Sequence, residues 1–283
     1  MTEDELRALK NLLNSSGFPF QLGIEHQVRS SAGSHSWAVV SREHPWTHME
    51  SGSTGFIDLV LRSSSVLWVV ECKRTQNATW LFLVPHDQQP TIARVRCLWN
   101  VGNSRPIVMR GWDDLPQAPP SYEATFCVIR GTGEADKPLL ERLSATLARS
   151  ADALADEEYV LVAPKRAEFL RIYMPVIVTN ASLRVAKVDP AAVSLFDGRV
   201  EREEFEEVSA VRFRKSFTSD RPPNSNPSDL ESAAAVRERT VMVVSASHLV
   251  DVLRSTKMEI NRIFGDEWPW EVALREAERA QGG

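Results

Sequence analysis

Three ionisable residues interrupt two apolar runs in this sequence. Asp58 stands between Gly55-Phe56-Ile57 and Leu59-Val60-Leu61, while Glu71 and Lys73 close the run Val66-Leu67-Trp68-Val69-Val70-Glu71-Cys72-Lys73. Carboxylates and ammonium groups rarely lie among apolar residues without a partner or a metal. Both runs have the make-up of strands, and Arg62-Ser63-Ser64-Ser65 between them reads as a tight hairpin turn. Strand side chains alternate faces, so Glu71 and Lys73 point the same way. With Ser64-Ser65 as a two-residue turn, Ser63 faces Val66 and Asp58 lies opposite Glu71, about 5 Å away at Cβ. Two carboxylates that close repel each other unless a cation or the lysine lies between them. This is what metal-assisted phosphodiester hydrolysis needs. Hard oxygen ligands suit Mg²⁺. The ion polarises the scissile phosphate and lowers the pKa of a water. A nearby lysine orients that water and offsets developing charge.

The pattern of Asp58, twelve residues, then Glu71-Cys72-Lys73 resembles the PD-(D/E)xK nuclease superfamily. The resemblance implies a restriction-endonuclease-like fold, a mixed α+β core whose central mixed sheet is flanked by helices. It implies Asp58, Glu71 and the backbone carbonyl of Cys72 as metal ligands, Lys73 as the catalytic lysine, and Mg²⁺ as cofactor with Mn²⁺ able to substitute. Ile57 stands where the family name has proline. The family core, helix–three strands–helix–strand, maps onto a helix at 3–13, strands near 21–28 or 36–41, 56–61 and 66–73, and a later strand at 124–129. Family members carry a further acid from the first helix. Glu25 is favoured slightly over Glu5, because Glu5 sits beside Glu3 and Asp4 in what reads as helix-start acidity. Gln76 is a supporting candidate. The function implied is a metal-dependent deoxyribonuclease serving restriction, phage defence or repair. The alternative is a catalytically inactive nucleic-acid- or protein-binding module of the same fold. The resemblance covers about 130 residues at most, within an expected nuclease domain at 1–163 with an insertion at 77–122. Residues 164–283 read as an α+β extension that recognises substrate, a second copy in a homodimer, or a protein partner.

Charge limits the partners. Lys and Arg number 33 against 38 Asp and Glu, a net charge of −5, so contact with a DNA backbone needs a local patch. Arg94, Arg96, Arg105 and Arg110 fall between Asp87 and Asp113 with no acid among them, interleaved with Trp99 and Trp112. Arg212 and Arg214 share one face of a strand and form a second patch. Glu201–Glu207, with five acids and one arginine, reads as a solvated face. His26, His35, His44 and His48 lack the tight spacing of a zinc site. Gly131-Thr132-Gly133 lacks the lysine and hydroxyl of a phosphate-binding loop.

The elements around the site follow from periodicity. Leu6, Leu9, Leu12 and Leu13 mark a helix at 3–13. Residues 20–28 and 36–41 read as short strands. Residues 85–120, with Pro85, Pro90, Pro106, Pro116, Pro119 and Pro120, read as loop-rich around a short helical piece at 89–99. A buried strand is expected at 124–129, an amphipathic helix at 137–155 and a short strand at 159–162. Strands follow at 173–179, 183–188, 208–213 and 240–244, with a loop at 218–229 and a closing helix at 248–264. The chain has 283 residues, 43% of them apolar and 25% charged, which excludes disordered and disulfide-scaffold classes. Three separated cysteines and an acidic start without an apolar segment read as a cytoplasmic protein with no membrane partner.

Overall fold

A computed structural model describes residues 1–75, 78–103, 108–130, 139–162, 168–217 and 228–258. Gln76, Arg105, the Gly131–Gly133 turn, most of the 218–229 loop and the end of the expected 248–264 helix lie outside them.

Two helices open the chain, α1 (Glu3–Ser15) and α2 (Phe18–Ser30). A three-strand meander follows: β1 (Ala38–His48), β2 (Ser53–Ser63) and β3 (Val66–Lys73). Next come β4 (Thr79–Pro85), β5 (Thr91–Asn103), β6 (Val108–Ala124) and β7 (Phe126–Arg130), then the long helix α3 (Leu139–Val162). The rest comprises β8 (Glu168–Thr179), β9 (Ser182–Val188), β10 (Glu203–Glu207), β11 (Ala210–Ser216), α4 (Leu230–Arg237), β12 (Glu238–Ser245), α5 (Leu249–Ser255) and β13 (Lys257–Met258). The expected mixed α+β architecture holds. The central mixed sheet runs β1-β2-β3-β8-β12-β11-β6-β13, with β5 against β6 and β8. Its strands come from both sides of residue 163. A second sheet, β10-β9-β4-β7, lies beside it.

Successive residues of β3 feed two cores. Leu67 and Val69 pack with Trp80 and Phe82 of β4 and with Leu140, Leu147 and Leu154 of α3. Val66, Trp68 and Val70 pack with Ile24 and Val28 of α2 and with Leu249 and Leu253 of α5. A strand buried on both faces reads as an unbroken apolar run, as β3 and β8 do. No helix among the described residues is long and apolar enough to cross a membrane.

Several sequence expectations are corrected. Residues 20–28 are helical. Pro19 stands in the first turn, where its missing N–H costs nothing, and Ile24 and Val28 repeat at helical spacing into the core. The piece at 36–41 is the start of the longer β1. Residues 85–120 are mainly the β5–β6 hairpin, and 89–99 contains strand rather than helix. Val95, Cys97, Trp99 and Val101 alternate into one core, a period of two hidden by the surrounding prolines. The strand at 124–129 divides at Thr125, and Phe126 and Val128 of β7 are exposed. The strand parallel to β3 is β8, because its own apolar run is buried on both faces. Residues 159–162 end α3, and the helix expected at 248–264 stops at Ser255.

Candidate active site

The β2–β3 hairpin has the expected register. Ser63 pairs with Val66 around Ser64-Ser65, and the ladder continues to Leu59–Val70. Ser64 has φ of 54°, the left-handed backbone that suits a tight two-residue hairpin. Hydrogen-bonded pairs alternate along an antiparallel ladder, so the next would join Cys72 to Ile57. Instead the Cys72 N–H donates to Asp58 Oδ2 at 2.6 Å. Ile57 also packs in the core opposite to that of Leu59 and Leu61. Pairing of β2 with β3 thus stops at Asp58, whose carboxylate replaces a main-chain acceptor.

The far end of β3 is anchored on two sides. The Arg74 guanidinium donates to the Asn14 carbonyl at the end of α1. Thr75 N–H donates to Asn180 Oδ1 at 2.6 Å, and Asn180 Nδ2 donates back to the Thr75 carbonyl at 2.9 Å. Beside the Arg74 anchor lies a cleft of about 320 Å³, lined by Ser15, Gln21, Asp58, Glu71, Cys72 and Lys73 among others. The Lys73 ammonium has no hydrogen-bond or ion-pair partner among the described residues.

Burial dominates the electrostatics. It lifts the Glu71 pKa to about 7, with the Asp58 charge adding and Lys73 opposing. Burial likewise raises Asp58, while the Cys72 N–H bond pulls it back. The Cys72 thiol is pushed up by burial and by the carboxylates of Asp58, Glu71 and Glu43. Glu43, which sequence reasoning missed, therefore belongs to the same electrostatic cluster. β1 pairs Arg42 with Leu59 and His44 with Ile57, which puts Glu43 opposite Asp58. Reading Met49–Gly52 as a hairpin turn and counting back along β1 would have found it.

Neither helical acid reaches the cleft wall. Glu25 is buried but held by Arg29 at 2.9 Å and Arg42 at 3.6 Å. Glu5 is exposed, and its carboxylate accepts the Thr2 N–H in a helix-capping box. Phe18 and Gln21 of α2 line the cleft, and Gln21 stands one turn before Glu25.

The arginine patches are mostly engaged in ion pairs. Arg96 and Arg214 share Asp114, and Arg214 also pairs with Glu238. Arg110 is bound by Asp152 and Asp156 of α3. Arg212 is buried against Glu123 and Ser121. Arg94 is exposed. Among the described residues, no three His, Cys, Asp or Glu side chains form a group that could hold a metal ion. Comparison with protein families, with curated proteins and with solved structures finds no match to this chain.

Proposed function

We propose that this chain is a metal-dependent nuclease that hydrolyses DNA phosphodiester bonds on a restriction-endonuclease-like core. The observation that carries the reading is one cleft shared by Asp58, Glu71, the Cys72 main chain and an unpaired Lys73. The connectivity supports it. Helices α1 and α2 precede the β1–β2–β3 meander, and the chain then returns through α3 to β8, parallel to β3.

The donor set fits Mg²⁺ as this ion is ordinarily held, by one or two carboxylates with water completing the shell. Asp58 and Glu71 would hold it, with the Cys72 carbonyl as a further oxygen. When bound, it would supply Lewis acidity toward the phosphoryl oxygen and ease ionisation of a water. Lys73 then orients the nucleophile and offsets the charge growing on the phosphate. Asp58, tied to the Cys72 N–H, keeps its second oxygen for this purpose. Glu71, whose pKa burial lifts to about 7 in the metal-free cleft, would give up its proton on taking the cation.

A non-cutting module of the same fold is the second reading. The ion pairs that engage Arg96, Arg110, Arg212 and Arg214 favour it, since they take up cations that would otherwise meet a DNA backbone. Cleavage assays on linear and circular duplex, single-stranded DNA and RNA, with Mg²⁺ or EDTA, separate the two. The nuclease reading expects cutting that disappears in EDTA, in Lys73→Ala and in Asp58→Ala. Cutting that survives in both variants would place the chemistry elsewhere.

A further inference from the structure

The first helices were expected to give the cleft an acid, and they give it an amide. Gln21 is only 8% exposed. Its Nε2 donates to Glu43 Oε1 at 2.5 Å and to the Asp58 carbonyl oxygen at 3.0 Å. An amide nitrogen carries two hydrogens, so both are used. The partners are both acceptors, which fixes the orientation of the amide. Oε1 is left without a hydrogen-bond partner among the described residues, on a side chain that lines the cleft with Asp58, Glu71 and Lys73. That oxygen keeps solvent-accessible surface, so a cation or a water in the cleft can reach it. As an acceptor it is suited to a cation or a water and not to an anion.

We propose that Gln21 Oε1 is a neutral oxygen of the cation site, facing a Mg²⁺ held by Asp58 and Glu71, with Glu43 as the anchor that turns the amide toward it. This rests on the nuclease reading above. Glu43 occupies an unusual backbone position, with φ of 48°, and from there its carboxylate reaches the Gln21 amide. Gln21 therefore does two things. Its nitrogen ties α2 to the strand that carries Asp58, and its oxygen completes a cleft otherwise built from two carboxylates and a main-chain carbonyl.

The test is Mn²⁺ titration of the full-length chain by calorimetry, with melting temperatures in EDTA measured in parallel. Gln21→Leu removes the oxygen and should weaken Mn²⁺ binding about 10- to 100-fold, the usual cost of losing a supporting residue at a metal site. Unchanged affinity in that variant would overturn the proposal. Because Gln21→Leu also strands two acceptors, a second comparison does not depend on its folding. Glu43→Gln keeps an amide-to-amide hydrogen bond. Adding Gln21→Glu to it moves the carboxylate to position 21 and the donor to position 43, conserving charge. If the oxygen at 21 faces the cation, the double variant binds Mn²⁺ more tightly than the wild type, which carries the same charge. If residue 21 only ties α2 to the strand, the exchange leaves affinity equal or weaker, and the proposal fails. A wild-type chain that binds no Mn²⁺ and cuts nothing would remove the nuclease reading and this inference together. Binding and cutting with indifferent Gln21 variants would remove the inference alone.

Discussion

Replacing Glu71 with glutamine should make the metal-free protein more stable at high pH. Burial and the Asp58 charge lift the Glu71 pKa from its ordinary 4.5 to about 7. The unfolded chain gives up this proton near pH 4.5, whereas the native chain keeps it to about pH 7. Between those values the native state binds more protons, so stability falls as pH rises. Below that interval Glu71 is neutral in both states and carries no penalty. Above it the full cost applies. At about 1.4 kcal/mol per pH unit, the gap amounts to about 3 kcal/mol. For a chain of this length that is about 5 °C in melting temperature. Glu71→Gln removes the titration and should flatten this part of the curve. The raised pKa of Asp58 leaves a residual slope at lower pH. The assay is thermal melting in EDTA across this interval for both proteins. Saturating Mn²⁺ should recover stability in the wild type at about pH 8, since a bound cation offsets the repulsion. Parallel curves for wild type and variant would refute the placement of Glu71 in a desolvated acidic cluster.

Asp58→Asn should abolish Mn²⁺ binding in calorimetry while leaving the EDTA melting temperature equal or higher. Its amide oxygen can still accept the Cys72 N–H, and the repulsion with Glu71 and Glu43 is removed. Arg212→Met should cost about 2 kcal/mol or more in urea melts, because Ser121 and Glu123 lose a buried donor. DNA affinity measured on the folded variant should not change. Gly55→Ala should destabilise by about 1–3 kcal/mol, since a methyl there would stand 3.0 Å from the Trp46 ring, which is itself buried. A neutral result in the melt would mean that the Trp46 ring has room to shift.

The sequence alone determined the hairpin that carries the site. Two apolar runs, one tight serine turn and the period-two geometry of strands were enough to set Asp58 opposite Glu71, because hairpin register is a local property of the turn. It also determined the mixed architecture and helix α3, whose leucines repeat at helical spacing. Residues 20–28 were misread as strand because their Phe20, Ile24 and Val28 pattern is short and also holds buried polar residues. Their helical state is decided by packing of Ile24 and Val28 on the central sheet. The same packing brings Gln21, and not Glu25 or Glu5, to the cleft. The arginines looked available because sequence order hid their acids. Asp114 is reached across the β5–β6 hairpin, and Asp152 comes from α3. Glu43 entered the site only through the long register of β1 against β2, and the partner of β3 was decided by a parallel strand about a hundred residues later in the chain. Local spacing specifies neighbours within a hairpin. Which distant charges meet, and which are neutralised before they meet a ligand, depends on how sheets and helices stack to bury their apolar faces, and that was decided by the tertiary structure.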